Sequence, residues 1–236
     1  SYSIPWVTLT YNDEKLAFEL TDYAQEVIDN LTVDAEPIYF DLPSGDQSVI
    51  WLITKKGVKV NKNTPLYLYG YGGFRVNILP NNAIARRSMP LLNREGAIAV
   101  VTLPGGLEKG EDWHKLGSLM NKKNVFRAMA LAARKLQRAG ISSRNHMAIG
   151  GGSNGGLLVG ATINRYPRLF KAAIPEVGVL DSLRYHKHTG GKWWVSEYGN
   201  PGNRYHFNYL KSYSPYHNIK NRKYPSILVM TSDGDD

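Results

Sequence analysis

The 236 residues contain no cysteine. Disulfides, thiolate metal sites and a cysteine nucleophile are thereby excluded, and the absence fits an intracellular setting, since disulfides persist in oxidising compartments. No run of about 18 apolar residues occurs, so no segment is built to cross a bilayer as a helix. The first residues, Ser1 to Pro5, have neither the basic nor the apolar region of a secretory leader. They also lack an initiator methionine, and a processed product or a fragment is the expectation. No segment repeats another. Nor is charge concentrated: the net charge of +9 comes from 29 basic and 20 acidic residues that are scattered. Even the densest cluster, Lys220 to Lys223, is interrupted by Asn221. A solvated basic surface is expected, with neither nucleic acid nor membrane as a partner.

What is present is an ordinary globular composition, 42% hydrophobic and 21% charged, long enough to bury a substantial core. Residues 1–45 are the least regular, with strand-like runs at Trp6 to Thr10 and Ile38 to Leu42. Ser48 to Thr54 is β-branched and aromatic, as strands are, and Gly57 to Thr64 reads as a basic loop or hairpin. From Thr64 the texture changes. Leu66 to Tyr69 and Ala97 to Leu103 are near-continuous apolar runs, each ending in glycines, the pattern of parallel strands covered on both faces. Asn124 to Ala139 has apolar residues at helical spacing and stops at Gly140. Met147 to Gly150, Ala172 to Pro175 and Ser226 to Thr231 read as further strands, with a helix over Gly156 to Tyr166. Strands alternating with helices predict a mostly parallel, doubly wound α/β sheet. Chemistry in such sheets sits beyond the carboxyl ends of the strands, and Tyr71, Ser153 and Asp235 all follow strands.

The sharpest motif is Gly150-Gly-Gly-Ser-Asn-Gly-Gly156, which contains the G-x-S-x-G nucleophile elbow. A turn from strand to helix this tight crowds any flanking side chain, hence the glycines. It exposes the serine hydroxyl, and the helix that follows directs N–H groups at developing negative charge. A glycine-rich phosphate loop or a plain turn would share the glycines but not the strand–turn–helix context. Serine needs a base, and the base an orienting carboxylate. The α/β-hydrolase chain order is Ser, Asp, His, and Asp235 follows a later strand, with Asp233 and Asp236 as competitors. The six histidines, at 114, 146, 186, 188, 206 and 217, all precede it. None occupies the expected place, and His146 lies at the wrong end of the elbow strand. The base is therefore expected beyond residue 236.

Together these motifs resemble the prolyl oligopeptidase family of serine peptidases, from about Glu36 to Asp236. Gly151-Gly-Ser-Asn-Gly-Gly156 is similar to that family's serine motif. Leu68-Tyr-Gly-Tyr-Gly-Gly-Phe74 resembles the loop whose second tyrosine, here Tyr71, supplies an oxyanion-hole hydroxyl. The other donor implied is the backbone N–H of Asn154. His186 to Gly199 resembles the segment lining the proline pocket. Trp194 matches the residue that stacks on the proline ring, Tyr198 a wall, and Phe74 and Val179 further walls. Flat aromatic faces and aliphatic walls suit a rigid apolar ring. Ordinary core packing is the other reading of Trp193 and Trp194. Ser232 to Asp236 resembles the Asp loop, with Asp235 as triad member. One departure stands out: the arginine that the family usually carries before the glycines is absent from Leu103-Pro-Gly-Gly106, although Trp113-His-Lys115 and Asn121-Lys122 match.

The resemblance implies an α/β-hydrolase domain over 36–236, with 1–35 the remnant of a preceding β-propeller and its linker. It implies a cytoplasmic monomer acting on short proline-containing peptides, with no metal or cofactor. An esterase using the same elbow, and a non-catalytic binding protein that keeps a hydrolase fold, are the competing functions.

Overall fold

The computed structural model describes residues 33–79, 88–188 and 190–233, and the backbone of 9–12 and 17–20. Asp235 and Asp236 lie outside the described residues, as does the first part of the Trp6 to Thr10 run. β1 (Leu9–Asn12) and β2 (Ala17–Leu20) pair antiparallel in a sheet of their own.

The main sheet holds β3 (Val33–Asp41), β4 (Gln47–Lys55), β5 (Leu66–Tyr69), β6 (Ala97–Val101), β7 (Met147–Gly152), β8 (Ala172–Glu176) and β9 (Ser226–Ile227). Their spatial order is β3-β4-β6-β5-β7-β8-β9. From β6 to β9 every pairing is parallel, whereas β3–β4 and β4–β6 are antiparallel. The sheet is thus mixed and mostly parallel. The antiparallel edge follows from local sequence. Gly45, at φ 91°, lets the chain reverse between β3 and β4 within a turn closed by Leu42 and Asp46, a backbone conformation that glycine adopts without steric cost.

Apolar residues on both faces of the strands create two cores. Leu66 and Leu68 of β5 and Ala97, Ala99 and Val101 of β6 face the larger core, while Ile98 and Val100 face a smaller one with Tyr67 and Tyr69. The larger core is covered by α3 (Lys123–Arg138) and α4 (Asn154–Arg165). α3 turns Val125, Met129, Ala132 and Leu136 inward at helical spacing. It ends as expected at Gly140: Gly140 N–H donates to Gln137 and Ile141 N–H to Leu136, a Schellman closure. Leu92 of the one-turn α1 (Met89–Leu92) belongs to the smaller core. The remaining α-helices among the described residues are α2 (Glu111–Lys115), α5 (Val195–Tyr198) and α6 (Arg204–Lys211).

Several boundaries differ from the sequence reading. β6 stops at Val101, two residues short of the apolar run. β7 runs on to Gly152, and α4 begins at Asn154 rather than Gly156, so no loop separates strand from helix beyond Ser153. The run Ser226 to Thr231 pairs only as far as Ile227, with a single further bridge from Glu176 to Met230. It is exposed because β9 is the last strand of the described sheet. No helix among the described residues is long and apolar enough to cross a membrane.

Candidate active site

Ser153 stands between β7 and α4 with φ 56° and ψ −117°, a backbone region that non-glycine residues rarely occupy. Such strain persists only where the surroundings enforce it. Here the Ser153 N–H donates to the Glu176 carbonyl of β8 at 2.9 Å, while its own carbonyl accepts from Gly156 and Leu157 in the first turn of α4. The crowding inferred for the motif is real. A Cβ on Gly151 would lie 2.7 Å from the Gly155 carbonyl oxygen and 2.8 Å from that of Gly70, both rigid backbone. Asn154 is the first residue of α4, so its N–H has no acceptor within the helix and is free to serve an anion.

Tyr71 follows β5, beside β7 in the sheet, and its phenol lies against the elbow, where it interacts with the Ser153 side chain. Burial raises the Tyr71 pKa, and the interaction with Ser153 offsets this only in part, so the phenol stays protonated and able to donate. The structure therefore brings three sequence-predicted residues together: Ser153, Asn154 and Tyr71. Asn154 contributes more than a backbone group. Its buried side chain donates from Nδ2 to the Tyr71 carbonyl at 2.5 Å and accepts at Oδ1 from the Tyr198 hydroxyl at 3.0 Å.

Tyr198 leads into an aromatic cluster. Phe74 meets Tyr198 edge-to-face at 5.4 Å and Trp194 at 6.2 Å, and Trp194 meets Tyr198 at 6.4 Å. Tyr185, which sequence reasoning did not single out, stacks on Trp194 at 6.3 Å with an interplanar angle of 13°. Its hydroxyl donates to the Gly199 carbonyl, and burial pushes its pKa up to about 12. At 2% exposure Tyr198 backs this cluster, whereas Phe74 and Trp194 are half-buried. Trp193 points elsewhere and is 74% exposed, so core packing does not describe it. Val179 lies beyond β8, half-buried against the main core.

Beneath the Tyr71 loop lies a charged group whose role the sequence did not reveal. Lys122 and Glu197 are buried and joined by Nζ to Oε1 at 2.9 Å. The other oxygen of Glu197 is 2.8 Å from Nε2 of the buried His114. Burial alone would raise the Glu197 pKa, but the Lys122 charge and the bonds from His114, Lys122 and the Phe74 N–H outweigh it and hold the carboxyl below its ordinary range. Burial lowers the Lys122 pKa, and Glu197 opposes that shift. Lys122 and His114 stood in matched sequence stretches, and Glu197 in the pocket segment; nothing in their spacing showed that they meet.

The turn containing Pro104, where arginine was expected, is buried against the same loop, and its Gly105 carbonyl accepts from the Arg75 N–H. Among the described residues, no histidine hydrogen-bonds Ser153. His114 is held by Glu197, His146 by Ser143, His206 by the Asn200 N–H and His217 by Ser214. His146 sits immediately before β7, at the end of the strand opposite Ser153.

A mixed, mostly parallel sheet with a strained serine between strand and helix defines the α/β-hydrolase class. The sequence profile of the Prolyl oligopeptidase family matches residues 84–236, and the chain belongs to that family. It is 43% identical over 204 residues to a prolyl endopeptidase of Elizabethkingia meningoseptica, covering 86% of this chain and 29% of the relative. It is 36% identical over 241 residues to one of Dictyostelium discoideum, covering all of this chain and 31% of the relative. A solved structure from a study of two prolyl endopeptidases superposes with a TM-score of 0.85 at 33% identity, over 99% of this chain and 34% of the other. The apo prolyl oligopeptidase B of Galerina marginata gives 0.79 at 32%, over 92% and 31%. The chain thus spans about a third of the length of the relatives it matches.

Proposed function

We propose that this chain is the greater part of the catalytic domain of a serine peptidase that cleaves short peptides on the carboxyl side of proline. The observation that carries the reading is the strained backbone of Ser153 at the strand-to-helix turn, with the Tyr71 phenol lying against that turn. It places a proton donor beside the nucleophile, next to the free N–H of Asn154. The names of the relatives support the substrate class, and the Phe74–Trp194 corner offers apolar, rigid faces of the kind a proline ring requires.

In the longer protein, Ser153 Oγ attacks the carbonyl carbon of the prolyl residue. A histidine outside these residues takes the hydroxyl proton and delivers it to the leaving amine as the C–N bond breaks. Asp235 holds that histidine's tautomer. The Tyr71 hydroxyl and Asn154 N–H stabilise the oxyanion, each contributing about 3 kcal/mol. Water then repeats the sequence on the acyl-enzyme, regenerating Ser153. The same reading makes residues 1–35 the end of a preceding propeller and 36–236 the peptidase domain.

The test is hydrolysis of a Gly-Pro reporter by the full-length protein and its Ser153→Ala variant. Loss of turnover on substitution supports the assignment; activity that survives overturns it.

A further inference from the structure

We infer that the buried Lys122–Glu197 pair is a positioning device that sets the Tyr71 hydroxyl and the Phe74 wall by clamping the main chain between them. The inference rests on the peptidase reading of Ser153 and goes beyond it, because it assigns residues that touch neither nucleophile nor substrate.

The loop after β5 leaves the sheet with an unusual backbone. Gly72, Phe74 and Arg75 all have positive φ, at 65°, 56° and 58°. Two consecutive non-glycine residues in that region are strained and need external restraint. The restraint comes from side chains on other elements. The Tyr71 carbonyl accepts from Asn154 Nδ2. The Gly72 carbonyl accepts from Lys122 Nζ at 3.1 Å. The Phe74 N–H faces the Glu197 carboxylate and helps to hold it ionised. The Tyr71 and Gly72 carbonyls are therefore fixed from outside the loop, and the Gly73–Phe74 unit faces the Glu197 charge.

The clamp is closely fitted. A Cβ on Gly73 would lie 2.6 Å from Asn154 Nδ2 and 2.7 Å from Lys122 Nζ, so the backbone passes directly over both groups. Lys122 Nζ also sits 5.2 Å from the centroid of the Tyr198 ring, next in sequence to Glu197. The charges thus join the elbow, the oxyanion loop and the aromatic corner. Both are held out of water, where ion pairs are rigid and directional rather than screened. Solvation of either partner alone would release the loop toward ordinary backbone angles and swing the Tyr71 hydroxyl away from Ser153. A displacement of about 1 Å of a catalytic group costs on the order of a hundredfold in rate.

The experiment is a double-mutant cycle in the full-length protein with a Gly-Pro reporter, measuring kcat and KM separately. The clamp variant is Lys122→Met combined with Glu197→Leu, which replaces the pair by apolar groups of similar size. The isosteric Glu197→Gln gives a second, milder measurement if the double variant does not fold. On the Tyr71 background, kcat is expected to fall about a hundredfold for the double variant, and less for Glu197→Gln. On a Tyr71→Phe background the same substitutions are expected to cost little more, because the donor they position is already gone. A clamp penalty of equal size on both backgrounds, or no penalty on either, overturns the inference. That failure is distinct from failure of the peptidase reading, which Ser153→Ala reports in the same assay.

Discussion

Asn154 donates its side-chain amide to the main-chain carbonyl of Tyr71, across two neighbouring strands of the sheet. The residue after Ser153 thereby ties down the loop that carries Tyr71. One side chain thus links the elbow to the Tyr71 loop, alongside the bond from Lys122 to the Gly72 carbonyl.

Removal of the Tyr71 hydroxyl isolates its contribution. Tyr71→Phe in the full-length protein should lower kcat for a proline reporter about 10²–10³-fold, the usual effect of losing one oxyanion donor. KM should move little, because the donor acts on charge that develops in the transition state. A large rise in KM with unchanged kcat would remove Tyr71 from the hole.

Trp194 tests the pocket. Trp194→Ala opens the cluster formed with Phe74, Tyr185 and Tyr198. Cleavage after proline should suffer selectively, while hydrolysis of short esters changes little. Equal damage to both substrates would argue for the esterase reading.

Gly151 tests the elbow geometry. Gly151→Ala forces a methyl against the backbone of Gly155 and Gly70. Overpacking of this kind costs about 1–3 kcal/mol, and the thermal midpoint of the full-length protein should fall accordingly, with loss of turnover. An unchanged midpoint would show that strand and helix can separate there.

The charge of Glu197 should be visible in the pH dependence of stability. Burial raises its pKa, but Lys122, His114 and the Phe74 N–H hold the net value below the ordinary 4.5. A carboxyl depressed in the folded state contributes stability that is present above its unfolded pKa and is lost as pH falls through the folded one. The wild-type protein should therefore resist urea better than Glu197→Gln near pH 7, by about 3–5 kcal/mol if the buried partner is left uncompensated. That advantage should shrink as the pH is taken below about 4.5. An advantage that stays constant down to pH 3 would mean that Glu197 does not carry the charge.

The order of strands and helices was legible because buried parallel strands must be apolar on both faces. The runs at Leu66 to Tyr69 and Ala97 to Val101 carry that requirement openly. The elbow was legible because contact with the Gly155 and Gly70 backbone leaves no room for a side chain at Gly151. Tyr71, Asn154, Phe74, Trp194, Tyr198 and Val179 were assigned by family resemblance, and the structure brings all but Val179 into one bonded or stacked cluster. Asp235 lies outside the described residues.

By itself the sequence determined the class of the sheet and the position of the strand–Ser153–helix turn, because both depend on local pattern: the apolar period of each strand and the steric limits of one turn. The tertiary structure alone decided that Lys122, Glu197 and His114 meet under the Tyr71 loop, and that Tyr185 backs Trp194. Lys122 and Glu197 are 75 residues apart. Charged residues carry no periodic signal of burial, and their pairing exists only once the sheet has brought the two segments together and excluded water from between them.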